Sequence, residues 1–146
     1  MFSLRNCVAA AVIVALQLPA YAVECWGRYE VTFTQQDQYN NPFTEVTLKC
    51  TFECEGEQIT VDGFYEGEGV WKARLMPTRV GRWTYRTESK DPGLDGKTGA
   101  FDSEPPAAGN HGPVRVVNNY HFAYADGTPY LPMGTTCYAW THQGDA

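Results

Sequence analysis

The stretch EVTLKCTFEC, Glu45 to Cys54, decides the fold class. Its residues alternate without a break. Val46, Leu48, Cys50, Phe52 and Cys54 fall on one side of an extended chain. Glu45, Thr47, Lys49, Thr51 and Glu53 fall on the other. A period of two with one apolar and one polar side is the pattern of a strand whose inner face meets a core and whose outer face meets water. Read as a strand, the segment also separates Cys50 from Cys54 by roughly 13 Å, four residues of extended chain. A disulfide needs Cα atoms within about 7 Å, so these two do not bridge each other. Either is left to pair with Cys25 or to serve as a small buried hydrophobe.

The same alternation recurs on both sides. RYEVTF (28–33) sets Tyr29, Val31 and Phe33 on one face. GVWKARLM (69–76) buries Trp71, Ala73 and Leu75 and shows Lys72 and Arg74. RWTYRTES (82–89) buries Trp83 and Tyr85 and shows Arg82, Thr84, Arg86 and Glu88. QITVDGFY (58–65) follows a glycine-containing turn. Turn signals lie between the strands: YNNP, EGE, EGEG, PTRVG and DPGLDGKTG. No helical period appears in this region. Several short antiparallel strands in about 80 residues predict an all-β, immunoglobulin-like β-sandwich. Within it, LMPTRVGRWTY (75–85) is where the chain changes sheets. Pro77 stops one ladder, Gly81 permits the return, and Trp83 re-enters the core.

Upstream, MFSLRN carries one positive charge, at Arg5. Cys7 to Leu18 is an apolar run, and Ala20-Tyr21-Ala22 is a small-x-small cleavage site. These are the parts of a secretory signal peptide, residues 1–22. The apolar run has 12 residues, short of the roughly 20 needed to cross a bilayer. A secreted or periplasmic protein is expected. Loss of Arg5, the one charge in the leader, takes the formal net charge from −6 to −7. An acidic chain of this kind has no electrostatic footprint for nucleic acid or an anionic membrane.

Downstream, SEPPAAGNHGP (103–113) has no periodic apolar residues and reads as an interdomain linker. VRVVN (114–118) then makes a short strand, and ADGT (125–128) a hairpin turn. YLPMGTTCYAW (130–140) continues as an apolar strand closing on small residues.

The segments VECWGRYEVTF, NPFTEVTL, VDGFYEGEGVWKARLMPTRVGRWTY and LDGKTGAF together resemble the immunoglobulin-like module of unknown function that precedes catalytic barrels in bacterial glycoside hydrolases. YHFAYADGTPYLPMGTTCYAWTHQ resembles the first strand of the barrel that follows it. The resemblance covers nearly all of residues 24–143. It implies a division into a signal peptide (1–22), a sandwich (23–102), a linker (103–113) and a truncated start of a (β/α)8 barrel (114–146). In that family a hairpin closes the barrel bottom and strand one leads to the active-site rim. Tyr138, Trp140 and His142, at every second position near that end, are the expected substrate-binding residues of a full-length barrel.

Catalysis by this chain is not expected. A barrel needs about 250 residues, and 33 follow Pro113. Glycoside hydrolysis needs a pair of carboxylates. Beyond the linker the acidic residues are Asp126, in a turn, and Asp145. The chain therefore reads as a piece, or a shortened version, of a longer protein. No catalytic residue, cofactor or metal ligand is assigned. The Cys50/Cys54 spacing lies far from the three histidines, and DPGLDGKTG lacks a third acidic ligand for calcium. The expected role is a non-catalytic accessory domain of a secreted glycoside hydrolase, with a polysaccharide or oligosaccharide as the partner of the whole protein. Two alternatives stand beside it. One is an independent carbohydrate-binding module with Trp26, Tyr39, Phe43, Tyr65 and Tyr120 as possible stacking platforms. The other is a ligand-free structural or adhesive sandwich.

Overall fold

The structure of the chain is a computed structural model that describes residues 22–37 and 39–134. Its elements in chain order are β1 (Ala22–Glu24), β2 (Tyr29–Thr34), α1 (Pro42–Glu45), β3 (Leu48–Cys54), β4 (Glu57–Asp62), β5 (Phe64–Gly67), β6 (Val70–Leu75), β7 (Gly81–Ser89), β8 (Thr98–Glu104), β9 (Val114–Val117) and β10 (His121–Tyr124). Three sheets result, in the orders β1-β8-β7-β3-β4, β2-β6-β5 and β10-β9. The first two face each other as a β-sandwich, so the described chain is all-β apart from the single turn of α1.

Alternation places the core as expected. Leu48, Cys50, Phe52 and Cys54 of β3 are all buried, as are Trp71, Ala73 and Leu75 of β6 and Tyr29 and Phe33 of β2. The rings interlock across the two sheets. Tyr29 of the smaller sheet lies flat on Phe101 of the larger one, with centroids 3.6 Å apart, and meets Phe52 edge-on. Phe101 also stacks on Trp83, which is fully buried. The Trp83 indole N–H donates to the Arg79 carbonyl at 3.1 Å, so its polar end is satisfied at the crossover. Pro77 and Gly81 bracket that crossover between β6 and β7. Gly81 has φ +143, a conformation that disfavours any side chain.

Two features depart from the pattern expected of the sequence. The strand expected from Glu45 begins only at Leu48, and Glu45 itself closes a helical turn. Asn41 caps it by accepting from the Phe43 N–H, and Pro42 occupies the first helical position. QITVDGFY is not one strand but two. Gly63 lies between β4 in the larger sheet and β5 in the smaller, and its N–H donates to the Leu48 carbonyl at 2.7 Å. A Cβ there would lie 2.5 Å from Leu48 Cδ2, so the chain can change sheets here only with glycine. Thr87 is buried on β7, on the inward side that it shares with Trp83 and Tyr85. Its hydroxyl donates to the Leu94 carbonyl and accepts from the Lys97 N–H, tying β7 to the loop that follows it.

That loop, DPGLDGKTG, is a closed turn. Asp91 accepts from the Gly93 N–H and from the Tyr39 hydroxyl. Asp95 accepts from the Ser89 N–H. Leu94 plugs the core beneath them. Cys25, Cys50 and Cys54 are free and buried. Burial pushes the Cys50 thiol up to about 12. The three act as small hydrophobes, the second of the two roles open to them.

β8 continues through Ser103 and Glu104, two residues into the stretch expected as linker. The reason is pairing: Ser103 sits opposite Gly81 of β7 and, on its other side, Val23 of β1. The rest of that stretch folds back on the sandwich. The Ala107 N–H donates to Glu24 Oε2 at 2.7 Å, and the Asn110 amide donates to the Cys25 carbonyl.

Candidate functional site

The leader residues 1–21 and the three residues expected at the substrate, Tyr138, Trp140 and His142, lie outside the described residues. Among the described residues, a pair of surfaces presents side chains that folding has not used.

The first is the β9–β10 hairpin. Asn118 and Asn119 turn it with positive φ values of 50 and 66. Its four pairs run from His121↔Val117 to Tyr124↔Val114. Asp126-Gly127 then makes the expected second turn, with the Thr128 N–H on Asp126 Oδ1 and a bridge between Ala123 and Pro129. The turn is pinned to the preceding stretch by His111, whose Nδ1 lies 2.7 Å from Asp126 Oδ2. The Asp126 carboxyl is held below the usual aspartate range, first by the Thr128 N–H and then by His111. Trp26 fills the junction with the sandwich, because its ring lies directly against Gly112, where a Cβ would come 2.6 Å from the indole. Ala123 of β10 is buried, but much of the hairpin's apolar surface is not. Val116 is 63% exposed, Phe122 47%, Tyr120 87% and Leu131 84%. Among them lies an open concavity of about 510 Å³, lined by residues that include Tyr120, Phe122, Tyr130 and Leu131.

The second surface lies where α1 meets β5. Phe43 stands out from α1 with its ring 73% exposed. Its edge meets Tyr65 at 5.3 Å and 85°. Tyr65 in turn leans on Trp71 at 5.2 Å. A cleft of about 410 Å³ opens beneath them, with Phe43, Tyr65, Phe64 and Trp71 among its walls and Thr47 and Asp62 on its rim. A second cleft of about 480 Å³ shares Tyr65 and is edged by Gln35, Gln36, Asp37, Tyr39 and Glu68. The Trp71 Nε1–H and the Gln35 Oε1 are closed to solvent and have no hydrogen-bond partner among the described residues.

The aromatics considered as platforms thus divide. Trp26 is junction packing. Tyr39 is committed to Asp91, and that bond, which needs the phenol proton, pushes its hydroxyl up to about 12. Tyr120 belongs to the hairpin. Phe43 and Tyr65 remain, and they are brought together only by the fold. Asn41-Pro42 was the sequence signal for the turn that carries Phe43; its pairing with Tyr65, 22 positions on, had none. No group of three or more potential metal ligands occurs among the described residues.

No curated protein matches this chain. Among solved structures it is similar to that of a putative glycoside hydrolase from Bacteroides vulgatus ATCC 8482, with a TM-score of 0.76 and 46% sequence identity over 86% of this chain. The match occupies 24% of that protein, so the chain spans about a quarter of its length. Residues 22–90, which hold β1 to β7, match the family model described as domain of unknown function (DUF5060).

Proposed function

We infer that the chain is the N-terminal, non-catalytic accessory domain of a glycoside hydrolase, with the β9–β10 hairpin as the seam to a catalytic domain. The observation that carries this reading is the contrast between a closed sandwich and a hairpin whose apolar side chains are left uncovered. Phe122 still exposes 47% of its surface and Leu131 84%, area worth about 25 cal/mol per Å² if a further domain packed on it. The similarity to a quarter of a longer protein of that description supports the same reading.

On this reading residues 1–22 are a signal peptide and the protein is secreted or periplasmic. Residues 23–102 form an immunoglobulin-like module, 103–113 connect it, and 114–146 begin a (β/α)8 barrel. Tyr138, Trp140 and His142 then approach the sugar at the end of the first barrel strand. No catalytic carboxylate is assigned to this chain, and hydrolysis is left to the catalytic domain of the whole protein. The partner of the whole protein is a polysaccharide or oligosaccharide.

The test is the coding frame beyond Ala146. A frame that continues for roughly the 250 residues of a barrel, in alternating strand and helix patterns, is the expected result. A stop at that point, with a purified chain that stays soluble and monomeric at high concentration, would contradict the reading.

A further inference from the structure

The accessory reading leaves the surface between α1 and β5 without a role. Phe43 is the most exposed aromatic side chain of the sandwich, at 73%, and its exposure is held in place rather than left loose. The backbone beneath it is fixed three ways. Its own N–H donates to Asn41 Oδ1, the Asn41 N–H donates to Glu45 Oε1, and Pro42 restricts the turn from the start. The ring is buttressed edge-on by Tyr65, which cannot move because Trp71 lies behind it and because the Tyr65 hydroxyl accepts from the Gly69 N–H. A rigid apolar ring standing in water gains nothing for the fold. Such a ring beside a cleft of about 410 Å³ matches the composition of a small-ligand site, an apolar wall with a few polar groups.

The polar groups present define the ligand. The rim offers the Thr47 hydroxyl and the Asp62 carboxylate. The adjoining cleft adds the Gln36 amide and the Asp37 and Glu68 carboxylates. These groups suit hydroxyls, which donate to carboxylates and accept from amides. They repel anions, because no lysine or arginine among the described residues lines either cleft. A molecule with a flat C–H face for stacking and a rim of hydroxyls is a pyranose. Two clefts that share the Tyr65 wall accommodate successive units of a chain.

We propose that the clefts on either side of Tyr65, with Phe43 as the stacking platform, form a binding subsite for an uncharged glycan chain. The site holds substrate and performs no chemistry. It rests on the accessory reading only for the expectation that a glycan is within reach.

The test uses the full chain in native affinity electrophoresis. Gels are cast with mixed-linkage β-glucan, xyloglucan, arabinoxylan or galactomannan, and with polygalacturonate as the anionic control. At least one uncharged polysaccharide is expected to retard the chain, and polygalacturonate is not. Phe43→Ala is expected to weaken the retarded complex about tenfold or more, as loss of a stacking ring does. Its melting temperature should stay that of the wild type, because the ring is mostly in water. Asp62→Asn is the second variant and should weaken binding to a lesser degree. Retardation by none of the four, retardation by polygalacturonate alone, or equal retardation of both variants and the wild type would overturn the subsite. None of these results touches the accessory reading, which stands or falls on the downstream coding frame.

Discussion

Strands β7 and β10 draw on similar side chains and end in different surroundings. β7 places Trp83 at full burial, stacked on Phe101 and hydrogen-bonded through its indole N–H. β10 places Phe122 on a two-stranded sheet where it is 47% exposed. Both strands alternate, and both sit in antiparallel ladders. What separates them is the number of layers. β7 has neighbours on both edges and a second sheet across the core. β9 and β10 pair with each other, β10 bridges Pro129 on its far edge, and no second sheet covers them among the described residues; so small a sheet is marginal in water. A strand is therefore no measure of a domain. The sandwich carries its own core, whereas the hairpin leaves Val116, Phe122 and Leu131 exposed.

The contrast can be broken most sharply at Trp83. Trp83→Ala should cost about 3–5 kcal/mol of unfolding free energy, the range for a buried large aromatic. Urea denaturation would show it, and a loss under about 1 kcal/mol would mean that the core is not organised around this ring. Gly63→Ala comes next. The new Cβ would press on Leu48, which is buried and cannot retreat, so about 1–3 kcal/mol should be lost to overpacking. A neutral result would remove the steric reason for the change of sheets.

In the hairpin the same kind of change should hardly register. Phe122→Ser should leave the main transition within about 0.5 kcal/mol, as exposed sites do, while reducing self-association seen by light scattering. A cooperative destabilisation as large as that of Gly63→Ala would show that the hairpin is part of the sandwich's folding unit. The smallest effect concerns Asp126. Its folded pKa is depressed, so its contribution to the turn is complete above the unfolded value of about 3.9 and is lost as pH falls through the lower folded value. The Thr128 amide resonance should titrate with a midpoint below that of a free aspartate. A midpoint at or above it would mean that the Thr128 and His111 contacts are not made in solution.

The faces of β2, β3, β6 and β7 were legible because each is decided locally, by a side-chain period of two against a single core. The crossover at Pro77 to Gly81 was legible for the same reason, since its punctuation lies in consecutive residues. Topology was not. The change of sheets at Gly63 depends on how close Leu48 comes, and Leu48 is 15 positions away. Alternation turns Thr87 inward, but nothing local signals the partners of its hydroxyl, Leu94 and Lys97, which lie in the loop that folds over it. The Phe43–Tyr65 pair is likewise a product of α1 and β5 being set side by side. Residues 103–113 looked like a free linker by composition. Their attachment rests on particular bonds, from Ala107 to Glu24 and from Asn110 to Cys25, which composition does not encode.

Native-state hydrogen exchange, read residue by residue, tests the division into a complete and an incomplete unit most directly. The amides of β3, β7 and β8 should exchange only through global unfolding, with free energies equal to that from urea denaturation. The amides of Val114 to Val117 and His121 to Tyr124 should exchange through local opening, several kcal/mol more easily, because few apolar contacts hold the hairpin closed. Equal protection in the two regions would contradict the account, since it would make the hairpin an integral part of the sandwich's folding unit.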